Sequence, residues 1–201
     1  MLKEQNTEYK IVEAAKTVFV RKGMDGARMQ EIADEAGINK ALLHYYFRSK
    51  DRLFEKVFDM LFKDIFVIFE EAITNEMSFE LFLEKFIRQY LQMLKEKPYL
   101  PQFIIHELNR NPERIVVQMQ NMDFDKQELF KLINKAIDDK VIRPIHPVHL
   151  LTNIVSLCIF PFIAKPIITG FMLDGDKEKY QQYIDERPEE VIGFVKKALI
   201  L

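Results

Sequence analysis

Apolar residues along this chain recur at spacings of three and four, and strict alternation is rare. That period marks one face of an α-helix, so the pattern predicts helices and no sheet. Over residues 8–22, Ile11, Ala14, Ala15, Val18 and Phe19 form one stripe, and Lys10, Glu13, Lys16 and Arg21 fall elsewhere. Gly23, after the basic pair Arg21-Lys22, is where that helix is expected to end. Met29, Ile32, Ala33 and Ala36 define a second, short helix that stops at Gly37. Asn39 can cap a third from about Lys40 to Phe47, and Ser49 a fourth starting at Lys50. Further helices are predicted over 50–75, 78–96, about 100–110, 122–140, 147–172 and 186–200. Pro98, Pro101, Pro112, Pro144, Pro147 and Pro188 break them, and Ser78, Asp123 and Asp185 lie near plausible starts. The expected fold is all-α, with about nine helices.

The second and third helices are joined by a glycine turn, Ala33-x3-Gly37-x5-Leu43. A helix-turn-helix needs a small residue where the helices approach, a glycine free to take positive φ, and apolar residues in the crevice. Ala33, Gly37, Ile38 and Leu43 meet those needs. On a helical wheel the crowded stretch His44-Tyr45-Tyr46-Phe47 divides. Tyr46 and Phe47 share the buried arc with Leu43. Ala41, His44 and Tyr45 face outward, Leu42 sits at the margin, and Lys40 stands at the N-terminal end. Such a face suits a DNA major groove. Lys40 can reach guanine or phosphate, Ala41 and Leu42 can pack on a thymine methyl, and His44 or Tyr45 can donate to phosphate oxygens. Lys50 adds a cation at the start of the next helix.

Composition supports this without demanding it. The chain has 201 residues, 48% of them hydrophobic, enough for one large core or two modest ones. Its formal charge of −2 carries no global signal for nucleic acid. Locally the balance differs: from Gly37 to Lys56 there are five basic residues against two acidic ones. The single cysteine, Cys158, excludes an intrachain disulfide, and the polar start MLKEQNTEYK has no signal-peptide core. A soluble, cytoplasmic protein is expected.

The run IVEAAKTVFVRKGMDGARMQEIADEAGINKALLHYYFRSKDRLFEKVF begins at Ile11 and ends at Phe58, overlapping residues 8–56. Those residues resemble the N-terminal DNA-binding domain of the TetR/AcrR family of bacterial transcriptional regulators. The likeness rests on Phe19, Gly23, Ile32-Ala33-x-x-Ala36-Gly37 and Leu43-x-x-Tyr46-Phe47-x-x-Lys50-x-x-Leu53. It implies a DNA-binding domain over 1–50 and a helical effector-binding and dimerisation domain over 51–201. It further implies a homodimer on a near-palindromic operator in double-stranded DNA, most simply a repressor released by a small molecule. Three positions depart from the family pattern. Arg28 stands where Ser or Thr usually opens the second helix, Leu42 replaces a hydroxyl residue, and His44 replaces a tyrosine. Gln30 matches a position that touches bases in some members, and Gln suits adenine.

In the remainder, Val191, Ile192, Val195 and Leu199 form one stripe of the last helix, and 150–172 is apolar nearly all round. With Val155, Ile159 and Phe162 these residues are expected at a four-helix dimer interface. Phe86, Tyr90, Phe103, His106, Met122 and Phe130 are candidates to line a pocket for an apolar or amphipathic effector. The stretch 154–173 approaches a membrane span in length, but Lys165, Pro161, Pro166 and Gly170 interrupt it, predicting a buried or interface helix and no membrane partner. His146 and His149 lack further ligands, and no nucleotide-binding or nucleophile motif occurs, so no metal, cofactor or catalytic site is predicted. An all-α small-molecule-binding or assembly protein with a vestigial helix-turn-helix is the alternative.

Overall fold

The computed structural model describes residues 2–73, 77–121 and 125–200. Among them the chain is helical, without strands; one isolated bridge joins Ile142 and Ile200. The helices are α1 (Leu2–Gly26), α2 (Met29–Glu35), α3 (Lys40–Tyr46), α4 (Lys50–Ile73), α5 (Phe79–Glu96) and α6 (Leu100–Arg110). They continue with α7 (Pro112–Asn121), α8 (Lys126–Asp138), α9 (Pro147–Ile163), α10 (Lys165–Ile167), a π-turn at Ile168–Met172 and α11 (Lys177–Leu199). The chain forms two compact units, Met1–Asp64 with Gln102–Asp123, and Ile65–Pro101 with Phe124–Leu201.

The first unit is built around aromatic packing. Ile11, Ala15, Val18 and Phe19 of α1 are buried, as their stripe predicts, together with Ile32, Ala33, Leu43, Leu53, Phe54 and Phe103. Phe54 is the hub. Its ring lies 5.3 Å from Phe19, edge to face, 5.9 Å from Phe103 and 6.3 Å from Phe58, within the range of favourable aromatic pairs. The Arg114 guanidinium sits over the same ring at 5.5 Å. The helix expected to stop at Gly23 does break there, at φ 68°, and one further turn follows to Gly26. The sequence pattern, with proline read as a break, does not predict α7. Pro112 opens α7, and Asn111 Oδ1 accepts the Arg114 N–H at 3.2 Å. Asn-Pro is thus cap and first helical residue, where proline's missing N–H is harmless. The predicted helix 122–140 is accordingly shorter: α8 starts at Lys126, capped by Asp125, and the expected cap Asp123 lies outside the described residues.

In the second unit α11 packs on α5 and α9. It begins nine residues earlier than predicted, at Lys177, with Asp176 Oδ1 accepting the N–H groups of Glu178 and Lys179 at 2.9 and 3.0 Å. Pro188 therefore lies inside the helix instead of opening it. Ion pairs on either side, Lys95–Asp185 and Arg88–Glu189, tie α11 to α5 across the lost backbone bond. The predicted helix 147–172 ends at Ala164 and resumes across a 60° bend. Pro161 inside α9 cannot donate to the Leu157 carbonyl, and Arg187 of α11 supplies the missing donors at 3.3 and 3.0 Å. Among the described residues no single helix is long and apolar enough to cross a membrane; only that bent pair reaches the length together.

Candidate nucleic-acid interface

The turn between α2 and α3 is closed by its own backbone. Gly37 takes φ 66°, its N–H reaches the Asp34 carbonyl at 3.1 Å, and the Ile38 N–H reaches Ala33 at 3.0 Å. These are the two bonds of a Schellman ending, which requires a left-handed residue where the glycine stands. Two residues later Asn39 caps α3, its Oδ1 accepting the Leu42 N–H at 2.8 Å. Ser49 caps α4 in the same way, accepting from Arg52 at 3.2 Å. The sequence Gly37-Ile-Asn-Lys thus ends one helix and starts the next within three residues, fixing the angle of α3. Leu43 and Phe47 are buried and Ile38 half-buried, so α3 is anchored by one face.

The opposite face is open. Lys40, Ala41 and His44 are exposed, Tyr45 is 76% exposed and Leu42 37%. Tyr46 is half-buried, less enclosed than its place on the wheel predicts, and its ring stands edge-on to Tyr45 at 5.4 Å. It braces the exposed ring more than it fills the core. Arg28 is exposed at the start of α2 and makes no side-chain cap, so the family's usual hydroxyl cap has no substitute there. Gln30 is exposed but donates to Asp34 Oδ1 at 2.8 Å, which holds its amide along the helix. Lys50 differs most from expectation. Its Nζ donates to the carbonyls of Ala27 at 3.1 Å and Asp25 at 3.4 Å, fastening the segment before α2. An ammonium carries three donors, so one remains for a phosphate.

Sequence reading overlooked Glu31. It accepts from Lys22 at 2.6 Å and Arg21 at 3.0 Å, pinning α2 to the last full turn of α1. The Lys22 hydrogen bond, with Arg21 behind it, holds the Glu31 carboxyl below the usual carboxylate range.

The other predicted residues are distributed as follows. Phe86 and Tyr90 are buried and stack at 5.5 Å within the second unit. Phe130 of that unit is half-buried, Phe103 belongs to the core of the first unit, His106 is exposed, and Met122 lies outside the described residues. Phe103 and His106 thus belong to the first unit, and Phe86, Tyr90 and Phe130 to the second. An open groove of about 800 Å³ in the second unit is lined by residues of α5 and α8, among them Phe79, Lys131, Leu132 and Lys135. Of the predicted interface residues, Phe162, Val191, Ile192, Val195 and Leu199 are buried in the unit's own core, and Val155 and Ile159 are half-buried. The apolar stripe of α11 is covered by α5 and α9, so it is not on the surface. The large apolar side chains these helices expose are Val148, Phe160 and Phe194, the last two 61% and 64% exposed.

A glycine-turned helix pair, capped at each junction, with a polar and cationic outer face, defines a helix-turn-helix DNA-binding protein. The model of the bacterial regulatory proteins of the tetR family matches residues 11–57, which span α2, α3 and their supports. The biofilm operon icaADBC negative transcriptional regulator IcaR of Staphylococcus aureus is 30% identical over 142 residues, 67% of this chain and 71% of IcaR. The probable transcriptional regulator YttP of Bacillus subtilis is 24% identical over 186 residues, 90% of each chain. Among solved structures, the hemolysin II transcriptional regulator HlyIIR superposes with a TM-score of 0.66 at 22% identity, covering 94% of this chain and 96% of that one. The chain belongs to the tetR family of bacterial regulatory proteins, and it is a DNA-binding transcriptional regulator.

Proposed function

We propose that the protein is a cytoplasmic homodimeric repressor whose two copies of α3 occupy successive major grooves of a near-palindromic operator. Residues 1–50 would bind DNA, and 51–201 would bind an effector and form the dimer. The observation that carries this is the outer face of α3, where Lys40, Ala41, Leu42, His44 and Tyr45 project from a helix held rigidly by its other side. Lys40 meets a guanine edge or a phosphate, Ala41 and Leu42 pack on a thymine methyl, and His44 or Tyr45 donates to phosphate oxygens. Arg28, Gln30 and the third N–H of Lys50 add contacts from α2 and the start of α4.

Repression follows IcaR, a negative regulator by name. The dimer would form through the exposed α9 and α11 surfaces that carry Phe160 and Phe194. An apolar or amphipathic small molecule would bind among the helices of the second unit, in the neighbourhood of Phe86, Tyr90 and Phe130. It would release DNA by binding more tightly to the conformation that does not fit the operator, since only differential affinity shifts such an equilibrium.

Genome-wide footprinting with the purified protein, repeated over a range of salt, tests the reading. The expected result is a small set of strongly preferred, dyad-symmetric sites whose affinity falls steeply with salt. Absence of any preferred fragment at any salt sinks the reading and favours a helical small-molecule-binding protein.

A further inference from the structure

We infer that Glu107 is a positioning residue for operator binding: its buried carboxylate on α6 holds the break in α1 and thereby sets the direction of α2 and α3. The inference rests on the regulator reading.

Glu107 is only 2% exposed, and it is the one charged side chain buried among the described residues. A carboxylate in such a place is costly unless it is satisfied. The backbone supplies the reason for it. Gly23, at φ 68° and ψ 172°, leaves the helix, so the next N–H, that of Met24, loses its partner one turn back. Glu107 Oε1 accepts that N–H at 2.9 Å in a buried hydrogen bond. The Gly23 carbonyl then accepts from Ala27 at 3.2 Å, starting the extra turn.

The surroundings fit a latch. A side chain at Gly23 would overlap the His106 imidazole, whose Nδ1 is 3.5 Å from Glu107 Oε1. Arg114 Nη1 lies 3.9 Å from Glu107 Oε2, and the same guanidinium contacts Met24 Sδ and covers the Phe54 ring. On the carbonyl side of the turn, Lys50 holds Asp25 and Ala27. Residues 24–27 are thus gripped through an N–H by Glu107 and through two carbonyls by Lys50. The next helix begins at Met29, only two residues after Ala27. With so short a connection, the direction in which this turn leaves α1 is inherited by α2, and by α3 through the closed Gly37 turn.

Reach and charge can be separated by substitution. Glu107→Gln keeps an acceptor oxygen at the same distance and loses the charge. Glu107→Asp keeps the charge and withdraws it by one methylene. Glu107→Ala loses both. Operator affinity is measured with folded protein at several salt concentrations, and Met24 amide exchange is followed by NMR in the DNA-free protein. The inference expects Gln within about threefold of wild type, and Asp and Ala at least tenfold weaker. It also expects the slope of log affinity against log salt to be unchanged, since no phosphate contact is removed. Met24 exchange should accelerate at least tenfold in Asp and Ala but not in Gln.

If Asp binds like wild type and Gln does not, the pairing of charge with Arg114 matters and the latch is wrong. Equally, accelerated Met24 exchange with unaltered operator affinity means that Glu107 only stabilises the fold. Should Ala fail to fold, the Asp and Gln pair decides alone. If wild type prefers no DNA, the regulator reading has failed, and with it the positioning role. The exchange data then still show whether Glu107 holds the turn.

Discussion

Leu42 is an unusual residue for the helix face proposed to meet DNA. A leucine against a base edge strips water from donors and acceptors and returns nothing, unless it meets the one apolar group of the major groove, the thymine methyl. Replacing the facing thymine of the operator by uracil should therefore weaken binding about fourfold, the worth of one buried methyl of about 0.8 kcal/mol. The effect should vanish in Leu42→Ala, as measured by titration of matched duplexes. Tyr45 is 76% exposed, so Tyr45→Ala should weaken operator binding with little change in melting temperature. Phe54→Ala should do the reverse first. It removes the hub of four rings and should cost about 3–5 kcal/mol in chemical denaturation.

Among the elements, α11 shows how local and long-range forces share the work. It starts on the Asp176 cap and is held to α5 by Lys95–Asp185, Arg88–Glu189 and Lys196–Glu84. The backbone N–H of Lys179 and the cap bond from Glu178 lower the Asp176 carboxyl; Lys95 lowers Asp185, and Arg88 lowers Glu189. Groups lowered by folding stabilise it above their ordinary values and lose that contribution as pH falls through the folded ones. The melting temperature should thus hold near pH 6 and fall progressively below about pH 4, where ordinary carboxylates begin to protonate. Because the pairs are exposed, their share should also shrink with added salt at pH 6. A flat acid profile down to pH 2.5 would contradict this account of α11.

For the molecule as a whole, the two helices α9 and α11 must serve a core and, as proposed, a partner. Their inner faces are occupied within the subunit, which leaves Phe160 and Phe194 for the second copy. The double substitution Phe160→Asp with Phe194→Asp should yield monomers by sedimentation. It should lower operator affinity by about 10² or more, because two linked half-site contacts become independent ones. Cys158 reports on the same region from inside. Burial pushes its thiol up to about 12, so it is neutral and unreactive in the native protein. Modification by a thiol reagent at pH 8 should proceed at the unfolding rate, not at the rate of a free thiol.

The sequence by itself determined what local chemistry controls. The period of three and four, Gly37, Asn39, Ser49 and the outward set on α3 were all legible, because caps and turns depend on residues within five positions of one another. Asn111-Pro112 was legible in principle and was missed by treating proline only as a terminator. Tertiary structure alone decided which neighbour covers each apolar stripe. It placed Val191, Val195 and Leu199 in the subunit's own core and let α11 run through Pro188. Periodicity states that a face is apolar, but not what lies opposite it. The bond from Met24 to Glu107 spans 83 residues, and no local pattern announces it. It exists because a broken helix leaves an N–H in the interior, and only the packing of the fold decides which side chain arrives to accept it.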